Sequence, residues 1–245
     1  MALSTDKILL STVNMVERMH DTFPAVHLDV GSGHGDLITL LRSRFSIQST
    51  ACDYTDSLIE LKDVPIKVAD LNVDKLPFAD KSFDVVTCTE VIEHLEHYRE
   101  TIREMHRVLK EGGTLVVTTP NILNLKSRIR FLMFGFHNLF GPLHFKESAL
   151  HSAGGHINPV SLFYLIHSLI DAGFSNVQVS VDKAQGSSKF WLLFLYAPIK
   201  FFSALIKRKE ISKYKTIDSH NDAYVSMING IDVLLGRTIV VGCKK

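Results

Sequence analysis

Residues 25–36 read Ala-Val-His-Leu-Asp-Val-Gly-Ser-Gly-His-Gly-Asp, and this stretch decides the fold. Ala25–Val30 is a short β-rich run that stops abruptly in glycines, the pattern of a buried strand entering a tight turn. Glycines there let the chain turn sharply and bring main-chain N–H groups at a helix start close to a ligand. A dinucleotide fingerprint, GxGxxG, would place its third glycine at position 36, which is Asp36 here. An acid at that point disfavours a pyrophosphate, and with it the nicotinamide oxidoreductases. A zwitterionic or cationic ligand fits better.

Outward from the turn, strand-like and helix-like segments alternate. Asp36–Phe45 reads as a helix, and Gln48–Asp53 and Ile66–Asp70 as strands, each closing on an aspartate. Phe83–Cys88 is a fourth strand, followed by a helix over Tyr98–Leu109, which Gly112 and Gly113 are expected to end. Thr114–Thr119 is a fifth strand, Pro159–Ala172 a helix closed by Gly173, Val177–Val181 a sixth strand and Arg237–Lys244 the last. Strands separated by helices imply βαβ units, hence an α/β fold with a mostly parallel sheet covered on both faces. Asp53 stands where an acid can grip both hydroxyls of a ribose, and Asp70 where an adenine N–H can be read. Either aspartate alone also suits a turn or a helix cap; the series of three strand ends is the stronger signal.

Composition bounds the rest. The chain has 245 residues and a formal net charge of +1, the size of one α/β domain, 1–245, with insertions. That charge gives no electrostatic case for nucleic acid. Cys52, Cys88 and Cys243 are too far apart for a CxxC metal site or a disulfide framework, which fits a reducing cytoplasm. The first 22 residues show no signal peptide; Leu9, Val13, Val16 and Met19 mark an amphipathic helix.

The order DVGSGHG, Asp53, VADLN, FDVVTCTEVIEHL and LKEGGTLVVTTPN resembles the class I S-adenosylmethionine-dependent methyltransferases over residues 20–182 and again at the final strand. The resemblance implies a Rossmann-like seven-stranded sheet with an antiparallel last strand, and S-adenosylmethionine as cofactor. By position it places Asp29, Gly31, Ser32, Gly33 and Gly35 around the methionine part and Asp53 on the ribose. Tyr54 would cover the adenine, Asp70 and Leu71 would flank its edge, and Cys88, Thr89 and Glu90 would lie beside the sulfonium.

The acceptor side carries the histidines: eight of twelve lie between His94 and His167. Spacing of three and four puts Glu90, Glu93 and His94 on one helical face. Two carboxylates with an imidazole can hold a divalent metal such as Mg²⁺, with His156 closing the site from the far side. The ExxEH pattern is similar to that of ubiquinone-pathway O-methyltransferases and small-RNA 2′-O-methyltransferases, where the resemblance implies a metal binding vicinal hydroxyls. Against this stand a solvent-facing Glu93, His94 acting alone as a general base, and His156 as a helix cap.

Two segments lie outside the common core. Residues 121–158 would form a lid over the acceptor side, with five phenylalanines between Phe131 and Phe145 behind Lys126, Arg128 and Arg130. Within 183–236, residues 190–209 form the most apolar run, followed by Lys207, Arg208, Lys209, Lys213 and Lys215. Pro198 and Lys200 argue against a membrane span. The run suits either interfacial contact with an anionic leaflet, through Trp191 and Tyr196, or burial against the sheet or a second subunit. These segments look like those of methyltransferases encoded with bacterial surface-polysaccharide enzymes, which implies O-methylation of a sugar, glycan or glycolipid at the inner face of the membrane. The alternatives are a quinone-precursor O-methyltransferase and a non-catalytic cofactor-binding subunit that docks on membranes.

Overall fold

The computed structural model describes residues 5–143 and 155–245. Its centre is a seven-stranded sheet: β1 (Ala25–Val30), β2 (Ile47–Asp53), β3 (Ile66–Val68), β4 (Phe83–Thr89), β5 (Leu109–Pro120), β6 (Ser175–Val181) and β7 (Thr238–Lys244). The strand order is β3-β2-β1-β4-β5-β7-β6. β1 to β5 pair in parallel, while β7 runs antiparallel to both β5 and β6. The antiparallel last strand expected from the sequence is therefore present.

The apolar pattern explains the layers. α1 (Asp6–Met19) buries Leu9, Val13, Val16 and Met19 against β5 and β7. It lies so close that a Cβ on Gly242 would come within 2.8 Å of Met15, so the glycine sets the approach distance. α2 (Asp36–Arg44) packs beside it through Leu37 and Leu41. On the other face α3 (Tyr98–Val108) and α5 (Leu162–Asp171) bury Ile102, Met105, Leu165 and Leu169 in the larger core. α4 (Leu125–Phe134) follows β5; α6 (Gly186–Lys209), α7 (Asp222–Met227) and α8 (Ile231–Leu235) fill the stretch before β7.

Several boundaries differ from those expected, and β3 stops at Val68, so Asp70 lies two residues beyond its end. Gly112 and Gly113 do not end α3; β5 begins at Leu109 and runs through them, with Gly112 at φ 74°. The pairing jumps from Phe83–Leu109 to Val85–Thr114, so the glycines form a bulge inside the strand. α5 starts at Leu162, after Ser161, rather than at Pro159. α6 continues through Pro198, because its 24 residues supply enough other hydrogen bonds and side-chain contacts to carry one missing N–H. Of the lid segment, residues 144–154 lie outside those described.

Candidate active site

The strand order reverses direction between β1 and β4, and a crevice opens beyond the carboxyl ends of the strands at such a point. A cavity of about 420 Å³ lies there. Its floor is the turn after β1. Gly31, Gly33 and Gly35 have φ of 75°, 50° and 87°, a region that side chains beyond glycine rarely enter. A Cβ on Gly31 would lie 2.1 Å from Cγ2 of Val91, so the glycine also admits the segment after β4.

Asp29, Gly31, Ser32, Gly33, Asp53, Tyr54, Asp70, Leu71 and Thr89 all line this cavity. The Asp53 carboxylate accepts from the backbone N–H of Gly33 (2.9 Å) and of Tyr54 (2.8 Å), tying β2 to the glycine turn. Asp70 accepts from the N–H of Asn72 (3.0 Å), so it forms a turn as well as facing the cavity. Among the described residues the hydroxyls of Ser32 and Thr89 are buried without a protein partner, and both are on the cavity wall. Cys88 and Gly35 are not on that wall. The Cys88 side chain points into the core instead, and Gly35 serves as the residue before α2, packed against Leu61.

Asp29 is 2% exposed. Burial pushes its pKa up to about 7, although Thr87 Oγ1 donates to it at 2.7 Å. Behind Thr87 lies His27, whose Nε2 is 2.7 Å from Thr87 Oγ1 and whose Nδ1 is 3.0 Å from Ser49 Oγ. Thr87 spends its proton on Asp29, so Nε2 of His27 must be the donor and Nδ1 the acceptor. Burial holds this ring neutral, with its pKa lowered to about 3. Glu90 is raised to about 7, first by burial, against a hydrogen bond from Thr118 and the charge of Arg237. A buried carboxyl, Asp29, and a half-buried one, Glu90, face one cavity, where a cationic ligand would stabilise their charged forms.

The ExxEH residues do not share one helical face. Glu90 has φ 56° and precedes a single 3₁₀ turn, Ile92–His94, so its side chain departs from those of Glu93 and His94. Nor does Glu93 face solvent: it is fully buried, accepts from Thr119 Oγ1 (3.1 Å), and its other oxygen has no partner among the described residues. Burial, then the nearby Glu90 charge, raises its pKa well above the usual carboxylate range. The turn is stitched to residues 155–158. The N–H groups of Ile157 and Asn158 donate to Glu93 O, Asn158 Nδ2 to Leu95 O, and His94 Nδ1 to Gly155 O (3.1 Å).

That stitching brings His156 to His94, with ring centroids 4.8 Å apart, edge to face. Phe140 packs on the other side of His156 at 5.2 Å. Burial, then the neighbouring His94, lowers His156 to about 4. His156 therefore caps no helix; Ser161 occupies that place before α5. Ligand atoms of Glu93, His94 and His156 lie within 4.8 Å of one another, and Glu90 stands apart from them. Sequence reasoning missed Arg237, Leu139, Val91 and His34, which also line the cavity.

This strand order, the glycine turn and a nucleoside-sized cavity over the β1–β4 switch define the class I methyltransferase fold. Residues 28–117 match a family described as a methyltransferase domain. The demethylmenaquinone methyltransferase of Listeria welshimeri is 30% identical over 168 residues, covering 62% of this chain and 70% of that protein. A probable S-adenosylmethionine-dependent methyltransferase of Mycobacterium tuberculosis is 34% identical over 156 residues, 61% of this chain and 48% of its own. A solved methyltransferase structure from Archaeoglobus fulgidus superposes with a TM-score of 0.56 at 16% identity, covering 97% and 94% of the two chains. The chain belongs to the S-adenosylmethionine-dependent methyltransferases, and S-adenosylmethionine is its cofactor.

Proposed function

We propose that this enzyme methylates a hydroxyl group, and that His94 takes the proton. The observation that carries this reading is the His94–His156 pair, in the cavity wall beside Glu90 and Thr89. The cofactor supplies a methyl group already activated on a sulfonium, so the chain needs to position two reactants and to accept one proton. Asp29, Gly31, Ser32 and Gly33 would hold the methionine part, with Ser32 and Thr89 offering unspent hydroxyls. Asp53 would take the ribose; Tyr54, Asp70 and Leu71 would bound the adenine. Because a carbonyl only accepts, the bond to Gly155 O puts a proton on Nδ1 of His94. Nε2 is the atom that would receive the acceptor's proton as the oxygen attacks the methyl carbon.

The same residues fit a metal in a different way than expected. One carboxylate and two imidazoles suit Zn²⁺ or Mn²⁺ better than Mg²⁺, which prefers a shell of oxygens. Glu93, His94 and His156 would be its ligands, and such an ion would bind a vicinal diol. As acceptor we favour a sugar hydroxyl on a glycolipid. The second reading, a quinone-pathway ring, draws support from the names of the similar bacterial proteins. The test is transfer of a labelled methyl group from S-adenosylmethionine into a bacterial lipid extract, followed by hydrolysis. Label in a methylated sugar supports the first reading, label on a quinone ring the second, and no labelled product overturns both.

A further inference from the structure

We infer that α6, together with the end of α4, seats the enzyme on an anionic membrane surface. α6 turns a half-buried stripe toward the domain and leaves most of its large apolar residues exposed on the outer side. Leu195, Ile199, Ser203 and Lys207 recur at helical spacing on the inner side. Ser203 accepts from Asn229 (2.7 Å), and Lys207 reaches Asp222 (2.6 Å) and Ser226 (2.8 Å). The outer side carries Phe190, Leu193, Phe194, Phe201, Leu205 and Ile206, every one more than half exposed. α4 packs alongside and adds Leu132 and Met133, 79% and 78% exposed. Single exposed apolar residues are ordinary; a face of this extent on two adjoining helices is an interaction surface.

The charges select the occupant. Between 200 and 215 there are six cations, of which Lys207 is paired with Asp222 on the inner side, and one acid, Glu210, whose carboxylate is engaged by Thr216. In a symmetric dimer the same patch meets itself, bringing these cations together; an anionic leaflet complements them. By length and composition the helix through Tyr214 would also suffice to cross a bilayer. Its inner side is pinned lengthwise to α4 and α8, however, and Lys200 stands mid-helix. Its ~36 Å length therefore lies in the membrane plane, apolar side down.

This geometry reaches the active site. The loop after α4 is held by Arg130, which donates to the carbonyls of Phe136 and His137. It carries exposed Leu139 into the cavity wall and Phe140 onto His156. An amphipathic acceptor could keep its tail in the bilayer while its head group enters beside the histidines. This step rests on the hydroxyl-methylation reading above; the docking itself does not.

The experiment uses the full chain and vesicles of phosphatidylcholine, with or without phosphatidylglycerol. Trp191, the one tryptophan, stands on α6 and reports contact without any mutation. Its emission should shift to the blue, and the protein should sediment, only with anionic vesicles. Leu193→Glu/Phe201→Glu/Leu205→Glu should lower vesicle affinity at least 100-fold, and Arg208→Gln/Lys209→Gln by about 25-fold, at about fivefold per lost cation. Both variants should keep wild-type S-adenosylmethionine affinity and thermal midpoint. A wild-type protein that stays in the supernatant overturns the inference. So does a dimer that the triple substitution dissociates while vesicle binding is nil, because the face then belongs to a second copy. Vesicle binding without methyl transfer into lipid would leave the docking standing and refute the acceptor reading alone.

Discussion

Thr87→Val is the substitution that best tests how the chain receives its cofactor. The hydroxyl of Thr87 donates 2.7 Å to Asp29, whose pKa burial has moved from 3.8 to about 7. Three units correspond to about 4 kcal/mol against the charged form. The folded chain holds this proton more tightly than the unfolded one. The contribution to stability is thus complete below pH 3.8 and lost as pH rises through about 7. A cationic cofactor requires the charged carboxylate, so below pH 7 it must expel the proton, and its affinity should fall about tenfold per pH unit. Removing a hydrogen bond to a charged group costs about 1.5–3 kcal/mol, which would raise the pKa by about one to two units. The break in the plot of log Kd against pH should then move from about 7 to between about 8 and 9. Isothermal titration in buffers of different ionisation enthalpy counts the protons directly. Near pH 6.5 the wild type should release most of one more proton than Asp29→Asn. Ionisations of the cofactor itself cancel in that comparison. Ser49→Ala, at the far end of the Ser49–His27–Thr87 chain, should move the break much less. Coincident profiles for wild type, Thr87→Val and Asp29→Asn would refute the assignment of Asp29 to the cofactor.

Gly31→Ala should abolish cofactor binding in titration calorimetry, since φ is 75° and the new Cβ would lie 2.1 Å from Val91. Adding Val91→Ala relieves the clash but not the backbone strain, so recovery should be partial. His94→Gln should reduce methyl transfer at least 100-fold while leaving cofactor affinity unchanged; wild-type turnover would remove His94 from the mechanism. Prolonged dialysis against EDTA should leave activity intact if His94 works as a base alone, and a loss restored by Zn²⁺ or Mn²⁺ would establish the metal reading. Asn121→Ala should cost about 3 kcal/mol in urea unfolding, because the buried amide donates to Val233 O (2.7 Å) and Gly236 O (3.0 Å) and accepts from Leu123 N–H.

The cofactor half was legible because its signals are local. A glycine turn and an acid at each of three strand ends occupy fixed places relative to their own strands, and the sheet brings those places together. The acceptor half depends on distant pairings that no spacing records. Arg237 reaches the cavity only because β7 inserts antiparallel beside β5, placing its start next to Asn121. The solvent-facing alternative for Glu93 fails because the acid is fully buried and bonded to Thr119, 26 residues away on β5. Glu90 failed the helical template because it adopts φ 56°, with its N–H donating to Thr118 O and Oγ1. The outward face of α6 defied the ordinary reading for the opposite reason: an apolar run is expected inside, and this one is outside.

The net charge of +1 is the sum of two opposed fields. Among the described residues, five carboxyls, Asp29, Asp36, Asp53, Asp70 and Glu90, line the cavity against one guanidinium, Arg237. Such a cleft draws in a cationic sulfonium. It also disfavours product retention: once the methyl group leaves, the bound nucleoside has lost one positive charge, and Asp29 and Glu90 lose the partner that offset their burial. Each carboxyl, poised near pH 7, can then regain a proton as the product departs. Product inhibition relative to cofactor binding should therefore strengthen as pH falls toward 6, where both carboxyls become neutral, and Asp29→Asn should bind S-adenosylmethionine and S-adenosylhomocysteine with more nearly equal affinity than the wild type. If the substitution leaves that ratio unchanged, the charge of Asp29 does not discriminate cofactor from product.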